Sequence, residues 1–272
     1  MRTKLAEDGS WFRQRSQNDQ RAEAHLNRFQ FSRHRHDRYA IGITMQGVQQ
    51  FDYRGATRNS LARQVVVLHP DEFHDGRAGT ENGFSYRAFY LAPERIQSVT
   101  EQSSLPFLAG GVSKDNRLVA AVWGLLADMS VDMSEAEAEF HIIEVIDALL
   151  SVTDFERPSR TLDTRSLLRC ADYLRENCQY DVSLAELETI ANLNRWQFSR
   201  DFKTFFGTSP HRYLIMRRLE LAQHLLAEGV PSSRAAVCAG FADQSHFIRH
   251  FRKNYGLTPQ NWVQLNGRTN VL

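Results

Sequence analysis

The chain has 272 residues, 42% of them hydrophobic and 11% aromatic, which allows one large or two ordinary domains with real cores. No apolar run approaches the ~18 residues of a membrane span, and the polar start from Met1 to Gln20 lacks the apolar centre of a secretion signal. Three cysteines (Cys170, Cys178, Cys238) with no C-x-x-C pair argue against a disulfide framework and a cysteine zinc site, so a reduced, cytoplasmic setting is expected. The net charge of +1 is unevenly placed. From Thr161 to Leu265 there are 13 Lys+Arg and 10 Asp+Glu, and from Met1 to Arg160 there are 19 and 22. That asymmetry permits nucleic-acid binding by the C-terminal part without requiring it.

The first half predicts short strands at Ala24–Phe31, Ala40–Met45, Val48–Tyr53, Gln64–Leu68 and Phe84–Leu91. They are rich in β-branched and aromatic residues and bounded by turn signals such as Arg54-Gly55, Pro70-Asp71 and Gly79–Gly83. Even spacing of short strands points to a small antiparallel barrel or sandwich.

Helical spacing follows. Asn116–Ser130 carries Leu118, Val122, Leu125 and Met129 on one stripe. Ser134 with Glu137 forms the capping-box signature, and the helix behind it runs to about Val152 with Phe140, Ile143, Ile146, Leu149 and Leu150 on one face. Two readings stay open for these helices: packing onto the β domain, or a helical dimer interface. Residues 153–162 lack apolar periodicity and contain Pro158, which marks a linker between a domain at 1–152 and another at 163–272.

The remainder predicts helices throughout. They cover Leu167–Asn177, Leu184–Ile190 behind the N-cap Ser183, Arg195–Phe206 behind Asn194, His211–Glu228 behind Ser209-Pro210, Ser233–Ala239, and Gln244–Tyr255 behind Asp243. Asn192 stands where a tight turn needs a residue tolerant of positive φ. Two of these stretches repeat at an offset of 49 residues. Phe198, Arg200, Phe202, Lys203, Phe206, Gly207, Pro210 and Tyr213 return as Phe247, Arg249, Phe251, Arg252, Tyr255, Gly256, Pro259 and Trp262.

Each copy is a short helix, a tight turn and a second helix, which is the helix-turn-helix arrangement. There the second helix lies in the major groove and its N-terminal half meets base edges. In the first copy Phe198, Phe202 and Phe205 share the face that must be buried, and Trp196, Ser199, Arg200 and Lys203 share another. In the second, Phe247, Phe251 and Tyr255 are buried, and Ser245, Ile248, Arg249 and Arg252 match, with Gln244 and His246 near the start. Arginine can pair with guanine and glutamine with adenine, while Lys203, Arg252 and Lys253 suit phosphates. The long helix between the copies would hold the two readers about one duplex turn, ~34 Å, apart. An exposed Arg or Gln on a helix is usually only solvated, and the duplication is what singles these out.

The run Leu184…Ala191-Asn192-Leu193, Phe198-Ser199-Arg200-x-Phe202-Lys203, Gly207-x-Ser209-Pro210-x-x-Tyr213, then Gly240-Phe241-x-Asp243-Gln244-Ser245-His246-Phe247-x-Arg249-x-Phe251-Arg252 and Gly256-Leu257-Thr258-Pro259 resembles the AraC/XylS family of bacterial transcription regulators. The match covers about Leu184 to Val263. By that resemblance Arg195, Trp196, Ser199, Arg200, Gln244, Ser245, His246, Ile248 and Arg249 are the base-reading positions. Ser232 and Ala235 stand where the family usually has larger apolar residues, and Ile248 where a small polar residue is common.

In the first half, His34-x-His36 with His74 from a later strand offers three imidazoles to one place. This resembles a cupin barrel over roughly His25 to Leu91. Cupins that bind metal also offer a glutamate a few residues past the His-x-His, where this chain has Tyr39, Ala40 and Ile41. The open readings are an effector pocket with Glu72, Tyr53 and Tyr90 as further candidates, a metal site, and structural histidines. The expectation is an all-β cupin-like domain with two flanking helices joined to an all-α tandem helix-turn-helix domain. It would act as a transcription regulator that is not an enzyme. Its partners would be double-stranded DNA, a small-molecule effector at His34, His36, Glu72, His74 and Tyr90, a second copy of the chain, and RNA polymerase. No cofactor, metal or membrane is expected. The alternatives are a metal-dependent, dioxygenase-like cupin enzyme with an attached helical domain, and a DNA-bending protein without an effector.

Overall fold

The computed structural model describes residues 3–4, 9–14, 21–100, 104–130, 133–153 and 162–266. Most of the expected linker, 153–162, lies outside them. The strands are β1 (Thr3–Lys4), β2 (Trp11–Gln14), β3 (Arg21–Leu26), β4 (Phe31–His34), β5 (Tyr39–Tyr53), β6 (Ala56–Leu61), β7 (Val65–Leu68), β8 (His74–Ala78), β9 (Phe84–Leu91) and β10 (Val112–Ser113). They pair in the order β1-β2-β3-β9-β5-β7-β10, with β6 and β8 also on β5 and β4 on β8. The order has two ends. The outermost strands, β1 and β10, are two residues each and do not pair with one another, so the cupin-like sheet stays open among the described residues and is not a closed barrel.

Strand β5 organises the sheet. Where sequence predicts two strands and a turn, one strand of 15 residues runs through. Met45 is the extra residue of a bulge: the register against β9 shifts between Thr44 and Gln46, and Gly47, just past it, has φ 73. A Cβ there would lie 2.2 Å from the Gly83 carbonyl oxygen, so only glycine fits. The extra residue flips the alternation. Before the bulge Tyr39, Ile41 and Ile43 face the helices; after it Phe51 and Tyr53 face the opposite side with Val66 and Leu68.

The helices over that first face are α1 (Pro93–Thr100), α2 (Asn116–Leu126) and α3 (Glu135–Ser151). The Ser134/Glu137 capping box starts α3 as expected. Leu118, Val122, Leu125, Val145, Ile146 and Leu149 bury against Ile41, Ile43, Val65, Val67 and Phe89, each fully buried aliphatic contributing about 1.5–3 kcal/mol. The expected α3 stripe divides: Ile146 and Leu149 are buried, whereas Phe140 is 59% and Ile143 42% exposed.

The C-terminal part holds α4 (Thr164–Glu176), α5 (Leu184–Ala191), α6 (Arg195–Phe206), α7 (Pro210–Ala227), α8 (Ser232–Cys238), α9 (Gln244–Tyr255) and α10 (Pro259–Asn266). It has two cores. One joins Leu167, Cys170, Leu174, Leu187, Phe198, Phe202, Phe206 and Tyr213. The other joins Ile215, Leu219, Ala222, Ala235, Ala236, Phe241, Phe247 and Phe251. Helix α7 lends its first turns to one core and its later turns to the other. At Ala235, where the family usually has a larger apolar side chain, the alanine is fully buried.

Candidate nucleic-acid interface and effector site

Helices α6 and α9 are built alike. Asn194 and Asp243 cap them, accepting from the backbone N–H of Gln197 (3.0 Å) and His246 (2.7 Å). Gly207 (φ 71) and Gly256 (φ 69) stop them. Asn192 adopts φ 53 in the first turn. Phe198, Phe202, Phe247 and Phe251 are fully buried, which fixes what the other face shows. Arg195, Arg200 and Lys203 are exposed, and Trp196 is 77% exposed although nothing polar compels it. On α9, Gln244, Ser245, Arg249 and Arg252 are exposed.

Three expected readers sit less openly. Ser199, His246 and Ile248 are half-buried, and Ile248 packs against the second core. Its family-atypical side chain thus leans inward. Arg200 and Arg249 make no ion pair among the described residues. Two rows of unpaired cations beside capped helix starts suit a polyanion.

The sheet brings His34, His36, His74 and Tyr90 together. His34 and His74 face one another across β4 and β8. Ring centroids lie 4.3 Å apart for His34–His74, 4.8 Å for His36–His74 and 5.5 Å for His36–Tyr90. Each imidazole holds a backbone carbonyl through Nδ1: Ser32 at 2.8 Å, Arg38 at 2.6 Å and Glu72 at 3.0 Å. A carbonyl only accepts, so Nδ1 carries the proton and each Nε2 lone pair is left over. Burial opposes the charged form. It lowers His34, takes His74 well below its ordinary value, and pushes His36 down to about 4. The Tyr90 phenol is raised for the same reason.

Glu72 does not join the cluster. Its carboxylate lies 3.7 Å from the Arg54 guanidinium, a surface pairing that leaves only its carbonyl beside His74. Tyr53 points elsewhere too, into the core with Phe51 and Val66. Among the described residues no three His, Cys, Asp or Glu are grouped to hold a metal ion, and no helix is long and apolar enough to cross a membrane.

Residues 20–150 match the family model of the AraC-like ligand binding domain, and residues 187–264 match a helix-turn-helix domain. The chain belongs to the AraC family of transcriptional regulators. The probable transcriptional regulator LumQ of Photobacterium leiognathi is 39% identical over 34% of this chain, a match that spans only 37% of LumQ. The HTH-type regulator YbfI of Bacillus subtilis (strain 168) is 23% identical over 79% of this chain and 81% of its own length. Among solved structures, ToxT of Vibrio cholerae has the same two-domain fold. It gives a TM-score of 0.66 at 11% identity over 91% of this chain and 98% of ToxT. ToxT with an unsaturated fatty acid bound gives 0.64 at 13% identity over 95% and 96%. These AraC-family relatives are regulators rather than enzymes, and the metal-dependent enzyme alternative finds no support in them.

Proposed function

We propose that this AraC-family chain binds a specific duplex site by laying α6 and α9 into successive major-groove segments. Arg195, Trp196, Ser199, Arg200, Gln244, Ser245, His246, Ile248 and Arg249 would meet bases, and Lys203 and Arg252 phosphates. The observation that carries this is the matched exposure of the two reading faces over matched phenylalanine cores. The test is a gel shift with a site selected from random DNA. Arg200→Ala and Arg249→Ala are each expected to lose about 1–3 kcal/mol of preference for that site over random DNA. Unchanged selectivity in both variants would falsify the assignment.

The ligand-binding domain would take its effector at His34, His36, His74 and Tyr90. Three Nε2 acceptors and a phenol suit a small molecule bearing hydrogen-bond donors. ToxT, with its fatty acid, is a protein of the same fold that holds a small molecule. An effector acts only as far as its affinity differs between two arrangements of the DNA-binding helices.

A second copy of the chain would seat on the α2–α3 face, where Trp123 is 43%, Phe140 59% and Ile143 42% exposed. Sedimentation of the full chain is expected to show a dimer that Phe140→Glu dissociates; a wild-type monomer at micromolar concentration ends this part. A cytoplasmic setting follows from the proposed contact with DNA.

A further inference from the structure

The two reading helices do not share a core. Leu221 is the one residue that packs against both clusters among the described residues. Helix α7 joins them, and at 18 residues it is about 27 Å long. Beyond this helix the halves meet, among the described residues, at one small contact, where the Gly240 turn lies against the Gln179 backbone and Arg218 donates to the Cys178 and Tyr180 carbonyls, so their twist about the helix axis is lightly held. Something else must set it.

The ligand-binding domain grips both readers, and at matching places. On α1 the buried Gln97 donates from Nε2 to the Phe205 carbonyl at 2.5 Å, in the last turn of α6. Beside it, a Cβ on Gly207 would lie 2.9 Å from Pro70 and 3.0 Å from Leu105. On β4, Ser32 donates from Oγ to the Gly256 carbonyl at 2.9 Å. The Arg35 backbone N–H donates to the Lys253 carbonyl at 3.2 Å. Gly207 and Gly256 are the same position of the two sequence copies. Carbonyls at a helix C-terminus lack partners within the helix, so each bond satisfies an acceptor that water would otherwise take.

Helix α7 is clamped between the two grips. Arg212 Nε lies 2.9 Å from Asp71, and its Nη2 donates to the Arg35 carbonyl at 3.2 Å and also to Asn254 of α9. Arg217 pairs with the buried Asp37 and, at 3.2 Å, with Glu220, which Arg38 meets at 3.1 Å. The contacts that α6 and α9 make through Phe205, Gly207, Lys253, Asn254 and Gly256 lie at the helix ends opposite to Arg195, Trp196, Gln244 and Ser245. The DNA-facing ends stay open while the far ends are fixed.

We propose that the ligand-binding domain is a jig for the two readers, with Gln97 and Ser32 as positioning residues that set the angle between α6 and α9. The proposal rests on both helices reading DNA. It goes further in placing the control of their spacing outside the helix-turn-helix domain, at two hydrogen bonds to helix-end carbonyls.

The variant of choice is Gln97→Leu with Ser32→Ala, in the full chain. Neither change buries an unpaired charge, and the Gln97 Oε1 has no partner to lose. The probe is the site that the wild type selects from random DNA, with two derivatives in which one half or the other is scrambled. A jig predicts about tenfold weaker binding to the intact site and binding within about twofold of wild type on both derivatives. Asp71→Asn, which loosens the clamp on α7, is expected to move the same ratio in the same direction. Equal losses on all three DNAs, with or without a fall in melting temperature, would mean a merely structural role and overturn the proposal. So would no loss, or tighter binding to the intact site. Arg200→Ala and Arg249→Ala separate the two ideas: if they abolish selectivity while Gln97→Leu/Ser32→Ala keeps the wild-type ratio, the readers stand and the jig falls.

Discussion

Phe202→Ala will lower the unfolding free energy of the helix-turn-helix domain by about 3–5 kcal/mol. The ring is fully buried and packs edge-on or tilted against three others, its centroid 5.5 Å from Phe198, 4.3 Å from Phe206 and 5.5 Å from Tyr213. Truncation removes the transfer energy of the ring and leaves a cavity that rigid neighbours on α6 and α7 cannot collapse to fill. Against a typical domain stability of about 5–15 kcal/mol, that is about a fifth or more of the whole. The loss is confined to the first core. Phe247, Phe251 and Leu219 belong to the second, so α9 keeps its shape while α6 does not. Arg200→Ala is the opposite case: an exposed residue whose loss stays within about 0.5 kcal/mol of wild-type stability but removes a proposed reader. Guanidinium chloride unfolding checks the pair. Equal midpoints for Phe202→Ala and Arg200→Ala would mean that Phe202 is not a core residue.

Helix ends in the second half were legible because each carries its own chemistry. Arg195–Phe206 and Gln244–Tyr255 come out as predicted, since a capping side chain starts each and a glycine at positive φ stops it. The β half was harder. Ala56–Leu61 and His74–Ala78 contain few β-branched or aromatic residues; β5 pairs with both and supplies what local propensity lacks. Pro93–Thr100 has only Ile96 and Val99 as apolar side chains after Pro93, so no stripe announced α1. The histidine cluster was readable from an extended His-x-His and a later strand. Glu72 was not: nearness in sequence to His74 says nothing of where its carboxylate goes, and Arg54 decides that. Least visible were Asp37, Asp71 and Gln97. Their partners lie 180, 141 and 108 residues away, and nothing in a local window distinguishes an acid waiting for a distant arginine from one facing water.

Acid will weaken the ligand-binding domain, and the histidine cluster sets the window. The folded state holds His36 at about 4 against an ordinary 6.5, with His34 and His74 shifted the same way. Between those values the unfolded chain binds more protons than the folded one, so stability is complete above about pH 6.5 and drains as the pH falls toward 4. For His36 alone the loss is on the order of 2 kcal/mol by pH 5 and 3 kcal/mol below pH 4. The three rings titrate as a set, since each charge opposes the next. Nearby Asp75 and Asp37 raise His34 and His36 a little and Arg212 lowers His36, all less than burial does. Urea midpoints from pH 7.5 to 5 on wild type and His36→Asn give the measurement, because the carboxylates titrate in both proteins and cancel in the difference. Identical slopes would show that the ring is not held neutral. The same pair locates the effector. A small molecule held by Nε2 meets a neutral ring down to about pH 4, so its stabilising effect should persist from pH 7.5 to 5 and be lost in His36→Asn. An effector that stabilises wild type and His36→Asn equally binds somewhere other than these nitrogens.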